Sequence, residues 1–260
     1  MEFTQLTSDI RTILQHAPGH ISLCLTTDEG EMRACADTKK SAASIIKVPI
    51  AMACLRQVEK GKIDLDEMIP ITKPVAGTGV LNYMYHAQEI SLKDAITLSI
   101  IVSDNIAANM VIDAVGMDAI NAFFKDVGAR NTFVRRFFMD HASLEKGIDN
   151  ETTAADMNLF LNVLDAKSDV LGTESKQLLR EIMANQQFKD KLPSYQNMFA
   201  EAVKIGNKTG TLNQVEHDIA YFENEQRSAY ITVMATDLTH NHDGQQTIAQ
   251  IGQKVLEYMS

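Results

Sequence analysis

The chain has 260 residues, 45% of them apolar and 22% charged, and a formal net charge of −10. That length supports one large domain or two subdomains sharing a core, and the composition argues against wholesale disorder. The acidity and the lack of any basic run exclude nucleic acid and anionic lipid as expected partners.

No stretch approaches the roughly 18 apolar residues of a membrane span. The N-terminal Met1-Glu2-Phe3-Thr4-Gln5-Leu6 also lacks a basic region followed by an apolar core. No membrane association is expected, and the compartment is either cytoplasmic or that of a mature exported protein.

Taken in order, Leu6, Ile10, Ile13 and Leu14 repeat at helical spacing and predict an amphipathic helix over 6–16, stopped by Pro18-Gly19. Residues 21–25 and 32–36 alternate partly between apolar and polar around Asp28-Glu29-Gly30, which predicts a β-hairpin. The three cysteines, Cys24, Cys35 and Cys54, contain no C-x-x-C pair, which excludes a zinc ribbon or a thioredoxin-type site. A two-residue loop at Glu29-Gly30 would set Cys24 opposite Cys35 and make a cross-strand disulfide geometrically feasible; free thiols are the expectation.

Beyond the hairpin the signals turn helical: 44–60, 92–103, 106–115 before Gly116, 118–127 before Gly128, 153–165 and 174–187. The loops 70–90 and 131–151 are longer than connectors need, and such loops often carry function. Gly77-Thr78-Gly79 in the first reads as a turn, so no cofactor is assigned. Three strand-like runs follow near 202–209, 216–223 and 228–236, with a turn at Asn224-Glu225 between the last two. A final helix carries Ile248, Ile251, Val255, Leu256 and Met259 on one side. This order predicts an α+β fold: a five-stranded antiparallel sheet from residues 1–40 and 201–260, covered by the terminal helices, with 41–200 as an inserted all-helical domain.

Chemistry gathers at Ser44-Ile45-Ile46-Lys47, which opens the uncharged run 48–55. On a helix, positions i and i+3 share a face, so the Ser44 hydroxyl and the Lys47 amine would meet at its first turn. A serine needs a base to become nucleophilic, and a lysine desolvated by apolar neighbours is neutral enough to act as one. Free N–H groups at the helix start would favour an oxyanion. A second copy, Ser143-Leu144-Glu145-Lys146, lies among charges before Gly147 and reads as a surface helix end.

Two further motifs, Ser103-Asp104-Asn105 and Lys208-Thr209-Gly210, fall where a cleft between helices and sheet would receive them. A given tripeptide arises by chance in about one chain in thirty of this length, so all three in this order are not coincidence. Together they form the signature set of β-lactamases and penicillin-binding proteins. Over nearly its whole length the chain resembles the class A β-lactamase branch of that family.

The resemblance implies an acyl-serine hydrolase acting on a β-lactam or another amide or ester. Ser44 would be the nucleophile, Lys47 its base, Ser103 the relay returning a proton to the departing nitrogen, and Lys208 a nearby positive charge. Asn105 would hold the substrate's side-chain amide, Thr209, with Thr211, its carboxylate, and Gly210 completes the strand motif. The N–H groups of Ser44 and Thr211 would form the oxyanion hole. It implies a small-molecule substrate, no cofactor, and a monomer. A cell-wall-peptide peptidase or esterase, or a sensor that acylates without turnover, are the alternatives.

The loop 131–151 departs from the family pattern. Where class A enzymes place an arginine and, two residues on, a water-activating glutamate, this chain reads Arg135-Arg136-Phe137-Phe138-Met139-Asp140-His141. Asp140 and Glu145 are the candidate substitutes for deacylation, and slow deacylation is expected. Thr152-Thr153-Ala154-Ala155-Asp156-Met157 resembles the helix start that follows that loop. His240-Asn241-His242-Asp243 reads as a solvated turn, with no metal expected, and His217-Asp218 as structural.

Overall fold

The structure, a computed structural model, describes residues 1–71, 74–199 and 203–260. Its centre is a five-stranded antiparallel sheet in the order β2-β1-β9-β8-β7, formed by β1 (His20–Thr27), β2 (Gly30–Ala34), β7 (Lys204–Leu212), β8 (Val215–Glu223) and β9 (Ser228–Thr236). Strands from both ends of the chain thus share one sheet, and β7 forms one edge. The expected run near 202–209 begins at residue 202, which lies outside the described residues.

One face of the sheet is covered by α1 (Phe3–Gln15) and α9 (Asn241–Met259). Leu6 and Ile10 of α1 and Ile248, Ile251, Val255 and Leu256 of α9, all fully buried, pack there on Leu23, Leu25, Ile231 and Val233. The other face carries the helical middle: α2 (Lys47–Glu59), α3 (Leu92–Ile101), α4 (Asn105–Val115), α5 (Met117–Val127), the single-turn α6 (His141–Glu145), α7 (Ala154–Val163) and α8 (Thr173–Ala184). No single helix among the described residues is long and apolar enough to cross a membrane.

Local chemistry sets the element ends. Ser91, Asp104 and Thr153 cap α3, α4 and α7 by accepting backbone N–H groups of the first turn. Gly128 ends α5 in the left-handed region. Gly19 (φ +64°) leads into β1 where a Cβ would lie 2.3 Å from the Thr236 carbonyl, so no other residue fits without movement.

Three details differ from the sequence reading. The β1–β2 loop is Asp28-Glu29, with Thr27 opposite Gly30, so the loop moves by one position, each cross-strand partner moves by two, and Cys24 faces Arg33. All three cysteines are free thiols, as the sequence led one to expect, Cys35 lying beyond the end of β2. The β8–β9 connection spans four residues, 224–227, because the Asn224 side chain accepts from the N–H groups of Gln226 and Arg227. The helical middle also contains two small antiparallel pairs, β3 (Lys40–Ser41) with β6 (Glu151–Thr152) and β4 (Met68–Pro70) with β5 (Glu89–Ser91). Strands of two or three residues are too short to show an alternation.

Candidate active site

Ser44 sits half-buried in a 3₁₀ turn, Ala43–Ile46, that runs directly into α2. Lys47 follows one turn later, its backbone N–H donating to the Ser44 carbonyl. The turn leads into α2, whose residues 47–55 are all buried, and this apolar packing fixes the turn in place. Lys47 itself is 1% exposed.

The Lys47 side-chain nitrogen is held by one short segment. Nζ lies 2.7 Å from the Ser103 carbonyl, 2.8 Å from Asn105 Oδ1 and 3.2 Å from Ser103 Oγ. On the other side of that hydroxyl, Lys208 Nζ donates to Ser103 Oγ at 3.0 Å and to the Thr209 carbonyl at 2.7 Å. A continuous polar chain therefore runs Lys47, Ser103, Lys208, with all three side chains buried. Ser103 reaches this position through a left-handed backbone (φ +56°), an uncommon conformation for a non-glycine residue.

Burial pushes the Lys47 amine well below the ordinary lysine range, and the charge of Lys208 pushes it further, against the weaker pull of Asp104. Burial, aided by the charge of Lys191 and opposed by Asp218, lowers Lys208 to about 7. A neutral lysine keeps two N–H donors, which match the Ser103 carbonyl and Asn105 Oδ1, and one lone pair for a hydroxyl.

The strand β7 closes the other side. A Cβ on Gly210 would stand 3.1 Å from Ala43 Cβ and 3.3 Å from the Ser44 nitrogen, so the glycine lets the strand approach the Ser44 N–H. Thr209 is buried and its hydroxyl has no partner among the described residues, whereas the Thr211 hydroxyl donates to Glu216 Oε2.

Asp104 fastens the loop before α3. Its Oδ1 accepts from Ile106 and Ala107, capping α4, while Oδ2 accepts from Val80 (2.6 Å) and Leu81 (2.9 Å). Thr78 Oγ1 donates to the Ser103 carbonyl at 2.8 Å and the Asn105 N–H donates to the Thr78 carbonyl. Gly77 and Gly79 are glycines because side chains there would meet Asn105 and Asp104 at 2.5 and 2.3 Å. The turn read from Gly77-Thr78-Gly79 thus supports the Ser103-Asp104-Asn105 segment.

The loop 131–151 is folded back by charge. Arg136 donates from Nε (2.9 Å) and Nη2 (2.7 Å) to Asp149 Oδ1, and the second Asp149 oxygen accepts from Ser41 Oγ at 2.6 Å. Asn109 of α4 pairs with the Phe138 backbone in both directions. The Phe138 ring consequently faces Lys47, Nζ standing 4.5 Å from its centroid. Asp140 accepts from the Ser143 N–H and hydroxyl as the cap of α6, which holds its carboxyl below the ordinary range, and Glu145 is exposed on that helix. Neither carboxylate bonds Ser44, Lys47 or Ser103 among the described residues.

The remaining residues singled out from the sequence lie elsewhere. Ser143 lies in the middle of the short α6, half-buried, and Lys146 follows its last residue at the surface. His217 is fully buried, its Nε2 3.0 Å from the Ser41 carbonyl, and burial lowers it to about 4. His240 precedes α9 and His242 lies in its first turn, 2.9 Å from the Gln246 amide. The described residues hold no cluster of three or more His, Cys, Asp or Glu suited to a metal.

Arg136, Asp149, Asn109, Lys191 and Glu216 were not singled out as functional from the sequence. The first two carried a signal, opposite charges at the two ends of one long loop.

Residues 5–259 match the model of a family described as the beta-lactamase enzyme family. The chain is 26% identical over 257 residues to Beta-lactamase BRO-1 of Moraxella catarrhalis, covering 92% of this chain and 79% of that one. A β-lactamase crystal structure from Sphaerobacter thermophilus superposes with a TM-score of 0.89 at 25% identity, covering 99% of this chain and 98% of the other. The acyl-enzyme complex of a PBP-A mutant with penicillin G shares the fold, with a TM-score of 0.86 at 23% identity over 99% and 97% of the two chains.

Proposed function

The chain belongs to the beta-lactamase enzyme family as a serine β-lactamase-like hydrolase, and on that premise we propose that it forms an acyl-enzyme at Ser44 with β-lactam substrates and releases it slowly. The observation that carries this reading is the buried chain from Lys47 through Ser103 to Lys208, beside a serine at the head of an apolar helix.

In the proposed step, neutral Lys47 takes the Ser44 proton as Oγ bonds to the lactam carbonyl carbon. The N–H groups of Ser44 and Thr211 stabilise the oxyanion. The lactam C–N bond then breaks, Ser103 gives its proton to the nitrogen, and the proton held by Lys47 restores Ser103. Lys208 stabilises the transient charge on the Ser103 oxygen. Asn105 holds the substrate's side-chain amide and Thr209 meets its carboxylate.

Release of the acyl group needs a water and a base on the loop side. An aromatic ring faces Lys47 there, and Phe138 can neither accept a proton nor orient the water. Loss of a positioned base costs on the order of 10²–10⁴ in rate, so the acyl-enzyme accumulates.

A fluorescent penicillin tests the nucleophile. It should label the wild type and the Ser143→Ala protein and leave Ser44→Ala unlabelled. Labelling of Ser44→Ala at the wild-type rate would remove Ser44 from its role.

A further inference from the structure

Behind the cleft end of β7 lies an ion pair that the acylation step does not use. Lys191 and Glu216, 1% and 0% exposed, meet at 2.5 Å. Lys191 Nζ also donates to the Gly210 and His217 carbonyls, both at 3.0 Å, and to Thr211 Oγ1 at 3.1 Å. Glu216 is occupied on both oxygens. Oε2 accepts the Thr211 hydroxyl at 2.9 Å, and Oε1 accepts Asn241 Nδ2 at 2.7 Å and Gln245 Nε2 at 3.1 Å.

Two consequences follow for a substrate lying along β7. A threonine hydroxyl has one proton, and Thr211 gives it to Glu216, so its side chain offers no donor to a substrate carboxylate although the residue is exposed. Glu216 also cancels the charge of Lys191, which would otherwise stand against the Thr211 hydroxyl as a second cation beside Lys208. What still faces a carboxylate is Lys208 and the unpartnered Thr209 hydroxyl.

We propose that the Lys191–Glu216 pair sets the charge specificity of the cleft: by occupying the Thr211 hydroxyl and neutralising Lys191, Glu216 weakens recognition of an anionic carboxylate beside the scissile amide and admits uncharged substrates. This rests on the acyl-enzyme reading, which lays the substrate along β7. Neither residue touches reacting atoms; both act through Thr211, as positioning residues.

The test uses the full chain and compares acylation rates by benzylpenicillin and by its methyl ester, read as the anion-to-ester ratio. The wild-type ratio should be about tenfold or less. Glu216→Gln leaves Lys191 uncancelled while its amide oxygen can still accept the Thr211 hydroxyl, and Glu216→Ala removes the acceptor as well; both should raise the ratio, Glu216→Ala by about tenfold. Lys191→Met leaves Glu216 unneutralised and should lower it, and the double variant should return toward wild type. A pair that only held the fold together would slow both compounds alike and leave the ratio flat in every variant, and that result overturns the proposal. A wild-type ratio in the hundreds overturns it too, with no variant required to fold. Failure of both compounds to label the wild type counts instead against the acyl-enzyme reading.

Discussion

Lys208 is under two opposed demands. Burial lowers it to about 7, while the proposed chemistry needs its charge beside Ser103. The group is charged below that pH and neutral above it, so acylation by benzylpenicillin should slow as pH rises through about 7. In Lys208→Arg, whose side chain stays charged, this limb should disappear even if the plateau is lower. A wild-type rate that stays level well above neutrality would contradict the role. Phe138 offers the complementary change. Phe138→Glu puts a carboxylate where the ring faces Lys47, and decay of the acyl adduct should quicken by up to about 10²–10⁴. An adduct as long-lived as the wild type's would show that the loop holds no water there for a base to activate. The residues that carry this chemistry were readable because their identity and short spacing are themselves the signal: Ser44 with Lys47, Ser103 with Asn105, Lys208 with Gly210. Lys191 and Glu216 were not, because the two belong together only through the β7–β8 register and the turn before it. Asn109 shows nothing in sequence, being one polar residue in the middle of a buried helix.

Among the elements, the site depends on close approach of backbones. The loop holding Gly77 and Gly79 is drawn onto Asp104, which grips it and caps α4 with the same carboxylate. Gly79→Ala, at φ +133°, would set a Cβ 2.3 Å from Asp104 Oδ2 and 2.8 Å from its Cα, and the backbone atom cannot step aside. Thermal unfolding should show a loss of about 1–3 kcal/mol, and acylation should weaken with it. Unchanged stability and rate would mean that the loop does not hold Ser103-Asp104-Asn105 in place. Asp149 plays a similar part for the loop 131–151, joining Arg136 to Ser41, three residues before Ser44. The sequence marked both loops as too long to be connectors, since length is legible. What they fasten was not, because it is set by hydrogen bonds between segments distant in sequence.

Across the molecule, both chain ends build the sheet and the helical middle packs on one face of it. The sequence showed this order because its long elements are rich in apolar residues and Gly61, Gly116 and Gly128 stand at or just past the ends of α2, α4 and α5. The β1–β2 pairing was missed by two residues because Asp28-Glu29-Gly30 admits two adjacent two-residue loops, and in the observed one Thr27 Oγ1 accepts from the N–H groups of Glu29 and Gly30. We propose that residues 41–200 are an insertion in topology that does not fold alone: their core includes Cys24, Ile219, Tyr221, Tyr230 and Met234 of the sheet. A fragment of 41–200 should therefore lack a cooperative thermal transition, and a sharp one would contradict this shared core. A long-lived acyl-enzyme at Ser44, on which the proposed function stands, is best tested by intact mass spectrometry of the wild type after mixing with benzylpenicillin. The expected result is a one-to-one adduct, mapped to the Ser44 peptide, that persists for minutes or longer. A protein that consumes the drug while returning at once to its unmodified mass, or an adduct on any other residue, would contradict it.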